Sequence, residues 1–405
     1  MTSRTNPKDL MKPFFATRSS LPGFDASAVN ATIERALADA GIDTRSGPMR
    51  AVTETIRNAL GSAGSAAAAA PPADADIIDV TAHVVDRQPD APPEAAGRRS
   101  SAAGSFTMQH FSNHAGARSY RLYIPATGGE GPRPLLVMLH GCTQSAEDFA
   151  AGTRMNELAE RHGFFVVYPE QSAQANPSRC WNWFNRDDQQ RDRGEPALLA
   201  GLVREVAARH DVDRGAMYVA GLSAGAAMAV ILGETHPDLF AAVGAHSGLP
   251  YGSAHDIASA MAAMKGGRSG MPALKPHAGG AAAPPTRITQ AVPTIVFHGD
   301  RDHTVRHSNG SQIVMQAEAV HRAHPDRPPL KASKAQAAGA GGRRHTRTVY
   351  NDDSGRPHIE HWTLHGAGHA WSGGSANGSY TDGNGPDASA EMLRFFLAQR
   401  RVACA

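Results

Sequence analysis

The residues Gly221-Leu222-Ser223-Ala224-Gly225 form a G-x-S-x-G sequence, in which a serine stands between two glycines. This spacing is typical of a nucleophilic serine on a sharp turn between a strand and a helix. Larger residues at the glycine positions would collide with the neighbouring backbone of such a turn. The apolar run Met217–Ala220 precedes the motif, and a helical pattern that begins near Ala224 follows it. The sequence therefore predicts that Ser223 is a nucleophile raised above the edge of a sheet.

A nucleophilic serine needs an acid that orients its histidine, and after a turn of this type the acid and the histidine follow in that order. The acidic loop His298–Val305 comes directly after the apolar run Thr294–Phe297. Catalytic groups in α/β sheets gather at the carboxyl ends of the strands. We predict Asp302 as the acid, with Asp300 as the alternative. Asp300 lies nearer the strand end, where its side chain could instead stabilise the turn.

Twenty histidines compete for the role of the base. The apolar run Ile359–Leu364 leads into His365–Trp371, a loop of mainly small residues that brings a histidine back to the same edge. We predict His369 as the base, because small residues flank it after the last strand. His365 is the alternative, and its position at the strand end favours packing.

Two backbone N–H groups are needed to stabilise the negative oxygen that forms when a serine attacks an ester. Ala224 follows the nucleophile at the start of a helix, so its N–H is one predicted donor. The other is the N–H of Cys142, in the loop after the run Leu135–Leu139, where Gly141 permits close approach. A catalytic Cys142 thiol is a less favoured alternative, because no strand–helix turn carries it; packing or a bridge to Cys180 fits better.

Three of the four tryptophans stand close to these motifs. Trp181 and Trp183 belong to the segment Cys180–Phe184, and Trp371 comes two residues after His369. Aromatic side chains at a catalytic edge can form an apolar wall for a substrate, and they can equally pack under a long loop. We name the three tryptophans as candidate substrate-binding residues and keep core packing as the equal alternative.

Strands and helices are predicted to alternate around these motifs. The predicted strands are Phe106–Phe111, Ser119–Ile124, Leu135–Leu139, Phe164–Tyr168, Met217–Ala220, Ala241–Ala245, Thr294–Phe297, Arg347–Tyr350 and Ile359–Leu364. The predicted helices are Ala146–His162, Pro196–His210, Ala224–His236, Asn309–His321 and Pro386–Gln399. Apolar strands separated by helices indicate an α/β fold, with a mostly parallel central sheet and helices on both faces.

The beginning of the chain differs in composition from the rest. Residues 1–60 are predicted to form an extension with two short amphipathic helices, which either pack on their own chain or dock a partner. Residues 61–104 are rich in Ala, Pro and Ser and are predicted to be a low-complexity linker. One catalytic domain is predicted for residues 105–400, with surface insertions near 265–290 and 322–344.

The net charge of +2 over 405 residues gives no basis for a nucleic-acid partner or an anionic membrane surface. No run of about 18 apolar residues predicts a membrane span. The N-terminus also lacks the apolar run of a signal peptide, so the cytoplasm is the default expectation. The three cysteines have no metal-site spacing. We expect neither a metal nor an organic cofactor.

Five motifs follow one another in a familiar order. They are Leu139–Gln144, Cys180–Phe184, Gly221–Met228, His298–Val305 and Gly368–Gly374. The span that contains them, about Phe106 to Leu397, resembles the esterase family of poly(3-hydroxybutyrate) depolymerase catalytic domains, which also includes feruloyl and acetylxylan esterases. The resemblance implies an α/β-hydrolase fold, a Ser223–Asp302–His369 triad and an oxyanion hole at Cys142.

The resemblance also implies a function, the hydrolysis of short-chain hydroxyalkanoate esters by a serine esterase. Its partner would be an ester, either a polyhydroxyalkanoate polymer or an oligomer. A feruloyl or acetylxylan esterase is the alternative enzyme, and a granule-associated binding protein is the alternative from another class. Secreted members of the family usually carry a signal peptide and a polymer-binding module. Neither is visible here, which favours the cytoplasm. An extracellular location is the alternative, because the resemblance is to a family whose members are often secreted.

Overall fold

The computed structural model describes residues 104–267, 291–324, 326–339 and 341–401. The two predicted N-terminal helices, nearly all of the predicted linker and most of the predicted insertion at 265–290 lie outside these ranges. Within them, no helix is long and apolar enough to cross a membrane.

Among the described residues, ten strands form one mixed sheet, and two short strands pair separately. The strands are β1 (Ser105–Asn113), β2 (Gly116–Ile124), β3 (Arg133–Leu139), β4 (Phe165–Pro169), β5 (Val212–Leu222), β6 (Ala242–His246), β7 (Thr294–Gly299), β8 (Lys331–Ala338), β9 (Arg344–Asn351), β10 (Pro357–Leu364), β11 (Trp371–Ser372) and β12 (Thr381–Asp382). The order in the large sheet is β1-β2-β4-β3-β5-β6-β7-β10-β9-β8. The middle of the sheet is parallel and consists of the neighbouring strands β4, β3, β5, β6, β7 and β10. The outer strands, β1 and β2 on one side and β9 and β8 on the other, pair antiparallel with their neighbours.

Helices cover both faces of this sheet. The α-helices of the described ranges are α1 (Ala146–Thr153), α2 (Met155–His162), α3 (Gly194–Arg209), α4 (Ala224–Thr235), α5 (Ile257–Met264), α6 (Ser308–Arg322) and α7 (Ala388–Leu397). Buried side chains of α3, α4 and α6 join one apolar core, and those of α1, α2 and α7 join a second. The predicted α/β fold, with a parallel central sheet between two helical layers, is confirmed.

Two elements differ from the sequence prediction. The predicted helix Ala146–His162 is divided into α1 and α2, because Arg154 adopts a left-handed conformation with φ 53° and donates its N–H to Ala150 O. The predicted insertion at 322–344 contains β8, whose residues are all exposed and which pairs with β9 at the edge of the sheet. This part of the insertion therefore extends the sheet.

The order of the strands decides which loops meet. Strands β3, β5, β6, β7 and β10 are parallel neighbours, so the loops that follow them emerge at one edge of the sheet. Because adjacent strands of a sheet lie about 4.8 Å apart, the loops that follow neighbouring strands begin close together. All the catalytic candidates of the sequence follow one of these strands, and this edge is the candidate active site.

Candidate active site

Ser223 occupies the tight turn between β5 and α4. Its backbone has φ 57° and ψ −119°, a conformation that a residue with a side chain rarely adopts. Its N–H donates to His246 O at 2.9 Å, at the end of the neighbouring strand β6. The turn leaves Ser223 partly exposed. Strain of this kind is characteristic of functional residues whose surroundings hold them in place.

The two glycines of the motif are required by the close contact between this turn and the end of β3. A Cβ atom at Gly225 would lie 2.5 Å from His140 O, and one at Gly221 would lie 2.7 Å from Leu139 O. Ala224, the predicted oxyanion donor, is the first residue of α4, where N–H groups have no partner within the helix. The motif thus brings the nucleophile turn against the loop that carries the second predicted donor.

The structure pairs the two candidate acids with different candidate bases. Asp302 Oδ2 lies 2.7 Å from His369 Nδ1, and Asp300 Oδ2 lies 3.0 Å from His365 Nδ1. The Nε2 atom of His365 is 2.8 Å from Thr346 Oγ1 on β9. Since β9 lies beyond β10 in the sheet, this contact directs His365 away from β5 and its nucleophile turn.

The carboxylate of Asp302 is buried and has partners for both oxygens. Oδ1 accepts the N–H groups of Thr304 at 2.9 Å and Val305 at 2.8 Å. Oδ2 also lies 3.5 Å from Nε2 of the buried His298. Burial raises the pKa of Asp302, but hydrogen bonds from the two histidines and the loop backbone outweigh it and hold this pKa well below its usual value. Asp302 is therefore a constant anion beside His369.

His246 links the turn of Ser223 to the loop that follows His369. Its ring stacks between those of Phe297 and Trp371, at centroid distances of 5.8 and 5.2 Å. Its Nε2 accepts the N–H of Ser372 at 3.0 Å. Burial, followed by the neighbouring histidines, lowers the pKa of His246 to about 3. The neutral ring positions the loop after His369 without adding positive charge to the site.

The loop after β3 carries Cys142 and is held on two sides. Gln144 Oε1 accepts the N–H of Gly141 at 2.9 Å, on one side of the predicted donor. On the other side, a disulfide of S–S length 2.04 Å joins Cys142 to Cys180. Sequence reasoning assigned no role to Gln144, although it is the last residue of the motif Leu139–Gln144.

Breaking the Cys142–Cys180 disulfide is expected to lower both the unfolding temperature and kcat, because it frees the loop that carries the Cys142 N–H. The bridge spans 38 residues, and disulfides across such loops contribute about 2–4 kcal/mol. Thermal unfolding and ester hydrolysis would be measured with and without dithiothreitol. A Cys142→Ala/Cys180→Ala variant is the control, since reductant should not change it further. A wild type whose unfolding temperature and kcat do not change with dithiothreitol would contradict the expectation.

The three candidate tryptophans do not line a substrate surface. Trp181, Trp183 and Trp371 expose only 0%, 6% and 1% of their surface. Trp181 donates its Nε1–H to His140 O at 3.1 Å and so supports the loop that carries Cys142. The structure contradicts the substrate-binding interpretation and agrees with the packing alternative, because these rings fill the space beneath the loops of the site.

One exposed aromatic residue that the sequence did not indicate lies at the rim of the candidate active site. Tyr380 is 47% exposed, has φ 52°, and places its hydroxyl 3.2 Å from Thr143 Oγ1. Thr143 directly follows Cys142 and also has a positive φ, 67°. Tyr380 lies between β11 and β12, outside every motif, so sequence spacing carried no signal for it.

The parallel sheet, the covering helices and the serine on the turn between β5 and α4 define an α/β-hydrolase. The acetyl xylan esterase from Aspergillus awamori shares this fold with a TM-score of 0.52 and 18% identity, over 72% of this chain and 99% of that one. Residues 118–323, about half of the chain, match the family described as esterase PHB depolymerase. The chain belongs to this family.

Two relatives in the family are named as depolymerases. Poly(3-hydroxyalkanoate) depolymerase C of Paucimonas lemoignei is 32% identical over 267 residues, which cover 65% of this chain and 60% of the relative. Poly(3-hydroxybutyrate) depolymerase of Ralstonia pickettii is 28% identical over 273 residues, which cover 64% and 53%. The chain spans less than two thirds of the length of either relative. The family and fold expected from the five motifs are confirmed.

Proposed function

We propose that the protein is a serine carboxylic-ester hydrolase that acts on short-chain hydroxyalkanoate esters. The observation that carries the proposal is the 2.7 Å hydrogen bond between Asp302 Oδ2 and His369 Nδ1, on the same sheet edge as the strained turn of Ser223. The names of the two depolymerase relatives support the substrate class.

In the first half of the reaction, Ser223 Oγ attacks the ester carbonyl carbon while His369 Nε2 takes its proton. Asp302 holds the Nδ1–H of the ring and stabilises the imidazolium that forms. The carbonyl oxygen becomes negative and accepts hydrogen bonds from the N–H groups of Cys142 and Ala224. The intermediate then collapses, its ester C–O bond breaks, and His369 gives the proton to the leaving alcohol.

In the second half, water attacks the carbonyl of the acyl-enzyme while His369 takes one of its protons. The tetrahedral intermediate again places its negative oxygen between the two N–H donors. Collapse returns the proton to Ser223 Oγ and releases the carboxylic acid. These steps use only protein groups and water.

The aromatic wall of the substrate site is assigned to Tyr380 instead of the buried tryptophans. Its ring is exposed, and its hydroxyl contacts Thr143 on the oxyanion loop. An aromatic face at this rim suits the methyl and methylene groups of a hydroxybutyrate chain.

A panel of substrates tests the proposal. We expect kcat/KM to be highest for a 3-hydroxybutyrate trimer and lower for methyl ferulate and acetylated xylan, in line with the names of the two depolymerase relatives. A p-nitrophenyl phosphonate should label Ser223, as shown by mass spectrometry of the labelled peptide. A preference for methyl ferulate or acetylated xylan would replace the substrate class. A folded chain that neither turns over these esters nor reacts at Ser223 would point to the granule-binding alternative.

A further inference from the structure

A polar cavity of about 580 Å³ opens beside the loops of the acid and the base. Three arginines line it, Arg301, Arg343 and Arg344. Arg301 directly precedes Asp302, and Arg344 is the first residue of β9. Because β9 is antiparallel to β10, this end of β9 lies beside the carboxyl end of β10, where the loop of His369 begins. The cavity therefore belongs to the catalytic edge of the sheet.

Part of the charge in this cavity is already paired. Arg343 forms an ion pair of 2.8 Å with Asp382 and donates to His365 O at 3.2 Å. Asp300, the only carboxylate among the residues described as lining the cavity, accepts from His365 Nδ1 at 3.0 Å and from Gly366 N at 2.7 Å. Both oxygens of Asp300 are thus occupied by neighbours on the cavity wall.

The other two arginines are available to a ligand. Within the part of the chain that the structure describes, neither the Arg301 nor the Arg344 side chain forms a hydrogen bond or an ion pair, and both residues are exposed. Guanidinium groups bind carboxylates through two parallel hydrogen bonds, which gives them both affinity and geometric preference. The cavity therefore has an excess of positive charge with the donor chemistry that a carboxylate requires.

We propose that this cavity binds the terminal carboxylate of a hydroxyalkanoate oligomer, an inference that rests on the proposed function. The leaving alcohol takes its proton from His369, so the leaving group lies on the side of the His369 loop. In such an oligomer the leaving alcohol is itself a hydroxyacid whose far end carries a carboxylate. Arg301 and Arg344 bind that carboxylate and direct cleavage to ester bonds near the acid end of the chain.

A kinetic test compares a 3-hydroxybutyrate trimer that has a free carboxylate with its methyl ester. We expect the wild type to have a KM about tenfold lower for the free acid, the effect of one charge-assisted interaction. Arg301→Ala and Arg344→Ala should each reduce the ratio of KM for the methyl ester to KM for the free acid. The double variant should bring this ratio close to one. The control is Arg214→Ala, an exposed arginine near the amino end of β5, which should keep the ratio. Equal KM values in the wild type would overturn the inference.

A binding test decides the same point without turnover. Calorimetry on the full chain with Ser223→Ala would use the trimer, its methyl ester and inorganic phosphate as probes. The trimer should bind more tightly than the methyl ester, and the added Arg301→Ala/Arg344→Ala changes should remove the difference. Phosphate binding as tight as that of the trimer would mean a general anion site and overturn the carboxylate assignment. If the wild type hydrolyses no ester, the proposed function fails, and this binding result still decides for or against the cavity.

Discussion

Replacement of Ser223 by alanine is expected to lower kcat/KM for p-nitrophenyl butyrate about 10⁵-fold, because the acyl-enzyme can no longer form. The residual rate should come from the oxyanion donors and substrate binding alone. The substitution removes only a hydroxyl from a partly exposed turn, so the unfolding temperature should stay close to that of the wild type. Stopped assays at high enzyme concentration would measure the residual rate.

The matched control for this loss is Ser253→Ala. Its hydroxyl is buried and makes no hydrogen bond among the described residues, so its removal leaves no partner unsatisfied. Ester hydrolysis by Ser253→Ala should equal that of the wild type. A Ser223→Ala protein that retains a large part of the wild-type rate would refute the assignment of the nucleophile.

Backbone constraints were the part of the site that the sequence predicted best. Glycine is sterically required at Gly221 and Gly225, because any side chain there would clash with the end of β3. Gly299 has the same role on the other side of the site, where a Cβ atom would lie 2.8 Å from Gly368 O in the loop of the base. A single residue type can encode such close approaches, so motif and geometry agree at these points.

Whether a side chain is buried or exposed could not be predicted in this way. Trp371 follows the base along the chain, but its ring is buried against Phe149 of α1, at a centroid distance of 5.4 Å. That contact depends on how distant segments pack, which local spacing does not record. The strand β8 was missed for a related reason, since Lys331–Ala338 has no alternating apolar pattern and forms a strand by pairing with the edge of β9.

Asp300 and Asp302 are two residues apart, and a comparison of their asparagine variants is the most stringent test of the proposed site. Asp302→Asn is expected to lower kcat/KM for p-nitrophenyl butyrate about 10⁴-fold, since an amide cannot hold His369 in the required tautomer or stabilise its cation. Asp300→Asn makes the same chemical change and should keep most of the activity, because its partner His365 is tied to Thr346 on β9. Parallel rate measurements on both variants would decide between them.

The pH dependence separates a loss of catalysis from a loss of fold. Because the folded-state pKa of Asp302 is depressed below the usual 3.8, its contribution to stability is present above about pH 4 and is lost as the pH falls through the lower folded-state value. Between pH 5 and 8 the wild-type Asp302 therefore stays ionised, and any acid limb of the activity profile belongs to another group. Asp302→Asn should lower the rate across this whole range, because no anion then orients His369 or stabilises its cation at any of these pH values. An equal loss in Asp300→Asn would instead assign the orienting role to the pair of Asp300 and His365.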